Sequence, residues 1–171
     1  MGEPATENAG FGSSSRTSIF DYVGVPHHQR WLNDKKFDGG QLSDEEKELR
    51  DFYKRLLNFT IQSSALMANY QEIHHHNRWN TPYYNDQVFS FVRYSATEKL
   101  VVVVNFNDTE TYGFDLEIPA NLISSWELTN GEYMATDQLY MTERMILTVD
   151  NGLGRARVTI EPLESFIFRL D

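Results

Sequence analysis

From about residue 70 to its end, this 171-residue chain alternates short apolar segments with turn residues, and that rhythm leaves few architectures open. Val88–Tyr94 sets Val88, Ser90 and Val92 against Phe89, Phe91 and Arg93, the period of two that a half-buried strand requires. Residues 100–106 contain Val101-Val102-Val103-Val104, a continuous β-branched run that reads as a buried strand. Tyr112–Ile118, residues 125–128, 144–149 and 155–160, and Ser165–Leu170 continue the series toward about eight strands. Asn130-Gly131 and Asn151-Gly152 suit type I′ hairpin turns, whose two central residues both have positive φ. Short strands at short spacing imply a mainly β fold, an antiparallel β-sandwich.

The first 70 residues obey a different grammar. Residues 1–18 read as loop, with Gly2, Pro4, Gly10, Gly12 and the run Ser13-Ser14-Ser15. Pro26 suits the first position of a short helix reaching about Leu32, and Gly39-Gly40 then breaks the chain. Ser43 and Glu46 form an S-x-x-E capping box. Behind it Leu49, Phe52, Tyr53, Leu56 and Leu57 recur at helical spacing, opposite Glu45, Glu48, Arg50, Asp51, Lys54 and Arg55. The predicted helix extends to about Leu66. An amphipathic helix needs something to cover its apolar stripe, and no second helix of similar length follows. The expected division is therefore 1–70, loop and helices, and 71–171, the β-domain.

Composition narrows the function. A net charge of −10 opposes binding to nucleic acid and to anionic membranes, which require clustered Lys and Arg. The absence of cysteine excludes disulfides and thiolate metal sites. No apolar run approaches a membrane span of about 20 residues. No cofactor motif stands out: Gly152-Leu153-Gly154 opens no helix, and no G-x-S-x-G elbow occurs.

Arg16-Thr17-Ser18-Ile19-Phe20-Asp21-Tyr22, then Val25-Pro26-His27-His28-Gln29-Arg30-Trp31 and Lys36-Phe37-Asp38-Gly39-Gly40, lead into the helix at residues 49–58. This stretch resembles the end of the (β/α)8 catalytic barrel in α-amylase-superfamily glycoside hydrolases, where the last strand is followed by a long loop and the eighth helix. Gly2-Glu3-Pro4-Ala5 resembles the segment just past the eighth strand. Val23 departs from the pattern, where an aromatic residue would follow Asp-Tyr. Phe89-Ser90-Phe91-Val92-Arg93 through Val103-Val104-Asn105-Phe106-Asn107, with the closing Glu161-Pro162-Leu163-Glu164-Ser165-Phe166, resembles the C-terminal β-sandwich of those enzymes.

The resemblance implies a C-terminal fragment of an α-glucan-active, retaining glycosidase. Retention uses two carboxyls about 5 Å apart, at the C-terminal face of the barrel. The strands that carry them would precede Met1, so no catalytic residue is assigned and the chain alone is expected to be inactive. The parent would be secreted or periplasmic. The expected partner is the rest of the barrel, and an uncovered fragment would self-associate through its helix. The loop after the eighth strand borders the cleft in such barrels, which makes Glu3, Arg16 and Asp21 candidates for the cleft edge of the parent. The alternative function is a free-standing glycan-binding module.

Four constellations compete with plainer readings. Ile73-His74-His75-His76-Asn77, read as a strand, would turn His74 and His76 to one face, but a closed zinc site needs four ligands, so structural histidines are expected and no metal is assigned. Asp44-Glu45-Glu46 sits in a first helical turn, where acidic groups oppose the dipole. Asp86, Asn105, Asn107 and Asp108 lack the spacing of a calcium loop, and residues 107–109 read as a turn. Trp79, Tyr83 and Tyr84 lie in a polar, loop-like setting and are the candidates for sugar stacking, whereas Trp126 and Tyr133 read as core.

Overall fold

A computed structural model describes residues 26–141 and 143–171. Glu3, Arg16 and Asp21, with the loop expected over 1–18, lie outside the described residues. The chain divides into two compact units, Met1–Lys54 and Arg55–Asp171.

In the first unit, α1 spans Pro26–Leu32 and starts on its proline as expected. The helix α2, Asp44–Gln62, starts in the first unit and ends in the second; it begins at the capping box, where Ser43 N–H donates to Glu46 Oε2 at 2.8 Å and Glu46 N–H donates to Ser43 Oγ at 3.3 Å. Glu46 also accepts from Arg30 Nε at 3.1 Å and pairs with His27, which ties α1 to α2. These bonds hold the Glu46 carboxyl at about 2, far below its usual 4.5. The helix stops at Gln62, short of Leu66, because residues 63–66 turn around Glu98. Its carboxylate accepts from Ser63 Oγ at 2.8 Å and from Ala65 N–H at 2.9 Å. No residue of α2 is buried.

The second unit carries eight strands among the described residues. β1 (Asn69–Glu72) leads through a short helix α3 (His74–Asn80) to β2 (Val88–Tyr94), β3 (Lys99–Asn105) and β4 (Tyr112–Ile118). A further helix, α4 (Ala120–Ser125), precedes β5 (Gly131–Asp137), β6 (Arg144–Asp150), β7 (Leu153–Ile160) and β8 (Ser165–Leu170). β1 begins inside the segment assigned to 1–70, so the β-domain starts earlier in the chain than the sequence reading placed it. All pairings are antiparallel, in the order β1-β2-β3-β8-β5-β6-β7-β4. β8 joins β5 through only the Ala135–Leu170, Thr136–Arg169 and Asp137–Phe168 pairs. This short ladder links two four-stranded halves whose side chains enter one core: Val88, Val92, Val101, Val103, Phe166 and Phe168 from one, Phe114, Leu116, Ile118, Leu147, Val158 and Ile160 from the other.

The burial patterns follow the strand grammar. β6 alternates exposed and buried residues throughout, as a strand with one wet face must, and β3 is buried at four consecutive positions, Leu100 to Val103, with Val104 half-buried. Asn151 (φ 49°) and Gly152 (φ 78°) make the expected two-residue hairpin between β6 and β7. Asn130-Gly131 is a different case: only Gly131 has positive φ, at 155°, and it starts β5. Residues 125–128 do not form the expected strand. They end α4, with Leu122 and Ile123 in the core and Trp126 N–H bonded back to Leu122 O at 2.8 Å.

Candidate functional site

The histidine run folds as the helix α3, not as a strand, and this relocates every residue around it. Asn77 explains the difference. Its side chain is fully buried; Nδ2 donates to Ile73 O and Glu117 O, each at 2.9 Å. Its Oδ1 accepts from Glu117 N–H and Thr81 Oγ1, each at 2.7 Å. Four bonds pin the helix to β4 and to the turn that follows, overriding the weak helix preference of histidine.

In a helix, residues two apart point to different sides, so His74 and His76 cannot share an ion as a strand would allow. His74 Nδ1 lies 2.8 Å from Val88 O, which can only accept, so Nδ1 carries the proton. His76 Nε2 lies 3.1 Å from Glu117 Oε2, and the same carboxylate accepts from Arg155 Nε at 3.1 Å. Among the described residues, no group of three or more His, Asp or Glu side chains is placed to hold a metal.

The remaining constellations resolve in the same way. Glu46 is committed to the capping box and to Arg30, and a carboxyl ionised down to about 2 cannot serve as a general acid near neutrality. Asp86 is bound to Arg78, which holds it below its usual range. Asn107 Oδ1 accepts from the N–H groups of Thr109 and Glu110, each at 2.8 Å, forming the expected turn. Trp126 is core, as expected.

The aromatic candidates separate. Tyr84 is 4% exposed, its ring 5.0 Å from Phe114 and its hydroxyl 2.8 Å from Ser90 Oγ; burial pushes its phenol up to about 12. It has no face to offer a sugar, which corrects the sequence reading. Trp79 and Tyr83, by contrast, are 76% and 85% exposed.

The turn between them is built around Pro82. Tyr84 N–H donates to Thr81 O, and Tyr83 has φ 66°. Proline second and a positive φ third mark a type II turn, whose third position favours glycine. A tyrosine there costs of order 1–2 kcal/mol. The turn is clamped from both sides. Arg78 and Asp86 form a two-pronged ion pair across it, with Nη2 to Oδ2 at 2.9 Å, and Thr81 N–H donates to Asn77 O at 2.8 Å. The His75 ring stands edge-on to Trp79, with centroids 6.2 Å apart. Sequence reasoning missed both the Asn77 hub and the Arg78–Asp86 clamp; Pro82 was the one local signal of the turn.

A second feature lies within the first unit. α1 and α2 enclose a groove of about 520 Å³ lined by His27, Trp31, Leu42, Leu49 and Tyr53 among others.

Comparison with known proteins places these features. The family described as "Alpha amylase, C-terminal all-beta domain" matches residues 79–171, more than half of the chain. A crystal structure of an AmyP variant with maltotriose is 11% identical and superposes with a TM-score of 0.51 over 93% of this chain and 28% of that one. An α-amylase from Anoxybacillus is 17% identical over 82% of this chain and 28% of its own, at TM-score 0.48. The maltogenic α-amylase AmyB from Thermotoga neapolitana is 14% identical over 75% of this chain and 26% of its own, at 0.49. The chain thus spans little more than a quarter of the length of each. A comparison with curated protein sequences returns no match. With its antiparallel strands, shared two-sided core and matching family model, the chain belongs to the α-amylase C-terminal all-β domain family.

Proposed function

We propose that the chain is the non-catalytic C-terminal part of a larger α-glucan-active glycoside hydrolase, and that its β-domain supports a catalytic barrel supplied by the rest of that protein. The observation that carries this reading is the naked face of α2. Leu49, Tyr53, Leu57 and Ile61 recur every fourth residue and are 59%, 53%, 58% and 81% exposed. A stripe of this kind is built to be covered. An upstream catalytic barrel is the partner that would cover this face.

The reading has two consequences. The chain alone releases no reducing sugar from starch, and clear turnover would overturn the assignment. Left uncovered, the chain self-associates through α2. Light scattering across a concentration series should show it, and the double variant Leu57→Ser, Ile61→Ser should return the chain to a monomer. Wild-type chain that stays monomeric at high concentration would count against the stripe as a contact surface.

A further inference from the structure

We infer that the clamped turn at residues 81–84, together with Trp79, is a surface binding site for a linear α-glucan. The inference rests on the proposal that the parent enzyme acts on α-glucans, and it adds the place where this domain itself holds the polymer.

Two aromatic rings flank one short turn and stand out from the fold. Neither position is an accident of a loose loop. Asn77 anchors the helix that carries Trp79, and His75 flanks its indole. The Arg78–Asp86 pair and the Thr81 bonds close the turn, and the buried Tyr84 roots its far end in the core. The turn then places a tyrosine where glycine would be easier, and leaves that ring 85% exposed. A strained, rigidly held and exposed side chain contributes little to packing, and such strain concentrates at functional sites.

The chemistry selects the ligand. Trp and Tyr rings offer broad apolar faces with a polar edge, which suits a neutral ring with an apolar CH face and a rim of hydroxyls. Arg78 and Asp86, the pair that closes the turn, are 42% and 70% exposed in their side chains and can exchange hydrogen bonds with such hydroxyls while remaining paired. A chain with net charge −10 does not favour a polyanion. Two exposed rings held by one clamped turn offer stacking faces to glucose units of an α-linked chain.

Tryptophan fluorescence of the full 171-residue chain at micromolar concentration, titrated with maltoheptaose, tests the site. Of its three tryptophans, Trp126 is buried and Trp79 is the most exposed, so the signal reports on Trp79. A saturable change is expected with maltoheptaose and not with cellohexaose, and Trp79→Ala should abolish the heat of maltoheptaose binding in calorimetry, a readout that does not depend on that indole. Tyr83→Gly should weaken the affinity about tenfold while the thermal midpoint does not fall, because glycine suits the turn. A merely structural tyrosine would lower the midpoint and leave the affinity alone. Tyr70→Ala, at another exposed aromatic, should leave binding unchanged. No change at about 10 mM maltoheptaose, a range that would still reveal millimolar binding, overturns the site. Equal binding of cellohexaose, or full affinity in Tyr83→Gly, also overturns it. If the site fails while the chain stays inert on starch, the C-terminal-domain reading stands. If the chain alone degrades starch, that reading fails whatever the titration shows.

Discussion

The β-domain and the described part of the first unit handle their apolar residues in opposite ways. Every strand from β2 to β8 sends side chains into its own core, with Phe114, Leu116, Ile118, Leu147 and Ile160 fully enclosed. Residues 26–54 bury no apolar side chain; Leu49 and Tyr53 remain exposed, and order comes from polar devices, the capping box and the Glu46–Arg30–His27 cluster. A sheet that closes its own core can fold as a unit. A helix held by caps and ion pairs, with its apolar face exposed, is what the proposed role as a docking element requires. The contrast separates a region that closes its own core from one that leaves its apolar stripe exposed.

The sharpest way to break that contrast is to remove one large side chain from each region. Phe114→Ala should cost about 3–5 kcal/mol of stability in denaturant titration, because it opens a cavity beside Tyr84 that rigid strands cannot refill. Leu49→Ala, removing a side chain of similar character from α2, should change stability by less than about 0.5 kcal/mol. A similar loss at both sites would mean that the α2 face is covered within this chain. Gly154→Ala comes next. An added Cβ would lie 2.9 Å from both Ile123 Cδ1 and Leu147 Cδ1, so about 1–3 kcal/mol should be lost to overpacking. Asn77→Ala should cost about 1–3 kcal/mol, because it strands the Glu117 backbone groups that Asn77 satisfies. Loosening of α3 in hydrogen exchange would accompany it.

How far the sequence could be read follows from the range of the forces involved. Elements set by local periodicity were legible: β2, β3, β4, β6, β7 and β8, the Asn151-Gly152 hairpin, and the start of α2 at Ser43 and Glu46. Elements set by distant partners were not. α3 exists because Asn77 bonds to Glu117, forty residues away, and no local pattern in His74-His75-His76 announces it. α4 replaced an expected strand because Leu122, Ile123 and Trp126 reach the core at helical spacing. At the candidate site, the sequence grouped Trp79, Tyr83 and Tyr84 as one polar, aromatic stretch and could not divide the adjacent tyrosines. The positive φ of Tyr83 turns one ring outward while Tyr84 goes into the core. Only Pro82 hinted at such a turn.

The smallest expected effect concerns the polar side of the contrast. Glu46 titrates at about 2 in the fold against its ordinary 4.5, because it accepts bonds from Arg30, His27 and the Ser43 N–H. A depressed folded value means that its contribution is complete above about pH 4.5 and disappears as the pH falls toward 2. Helical signal by circular dichroism, followed from pH 5 to pH 2, should therefore decline less in Glu46→Gln than in the parent chain, since the amide starts without the ionic bonds and has none to lose. The β-domain provides the internal reference, because Phe114→Ala should lower stability by the same amount at both ends of that window. If Glu46→Gln and the parent chain follow the same acid profile, the junction of α1 and α2 is not held by this carboxylate, and order in the first unit must come from an apolar surface that covers it.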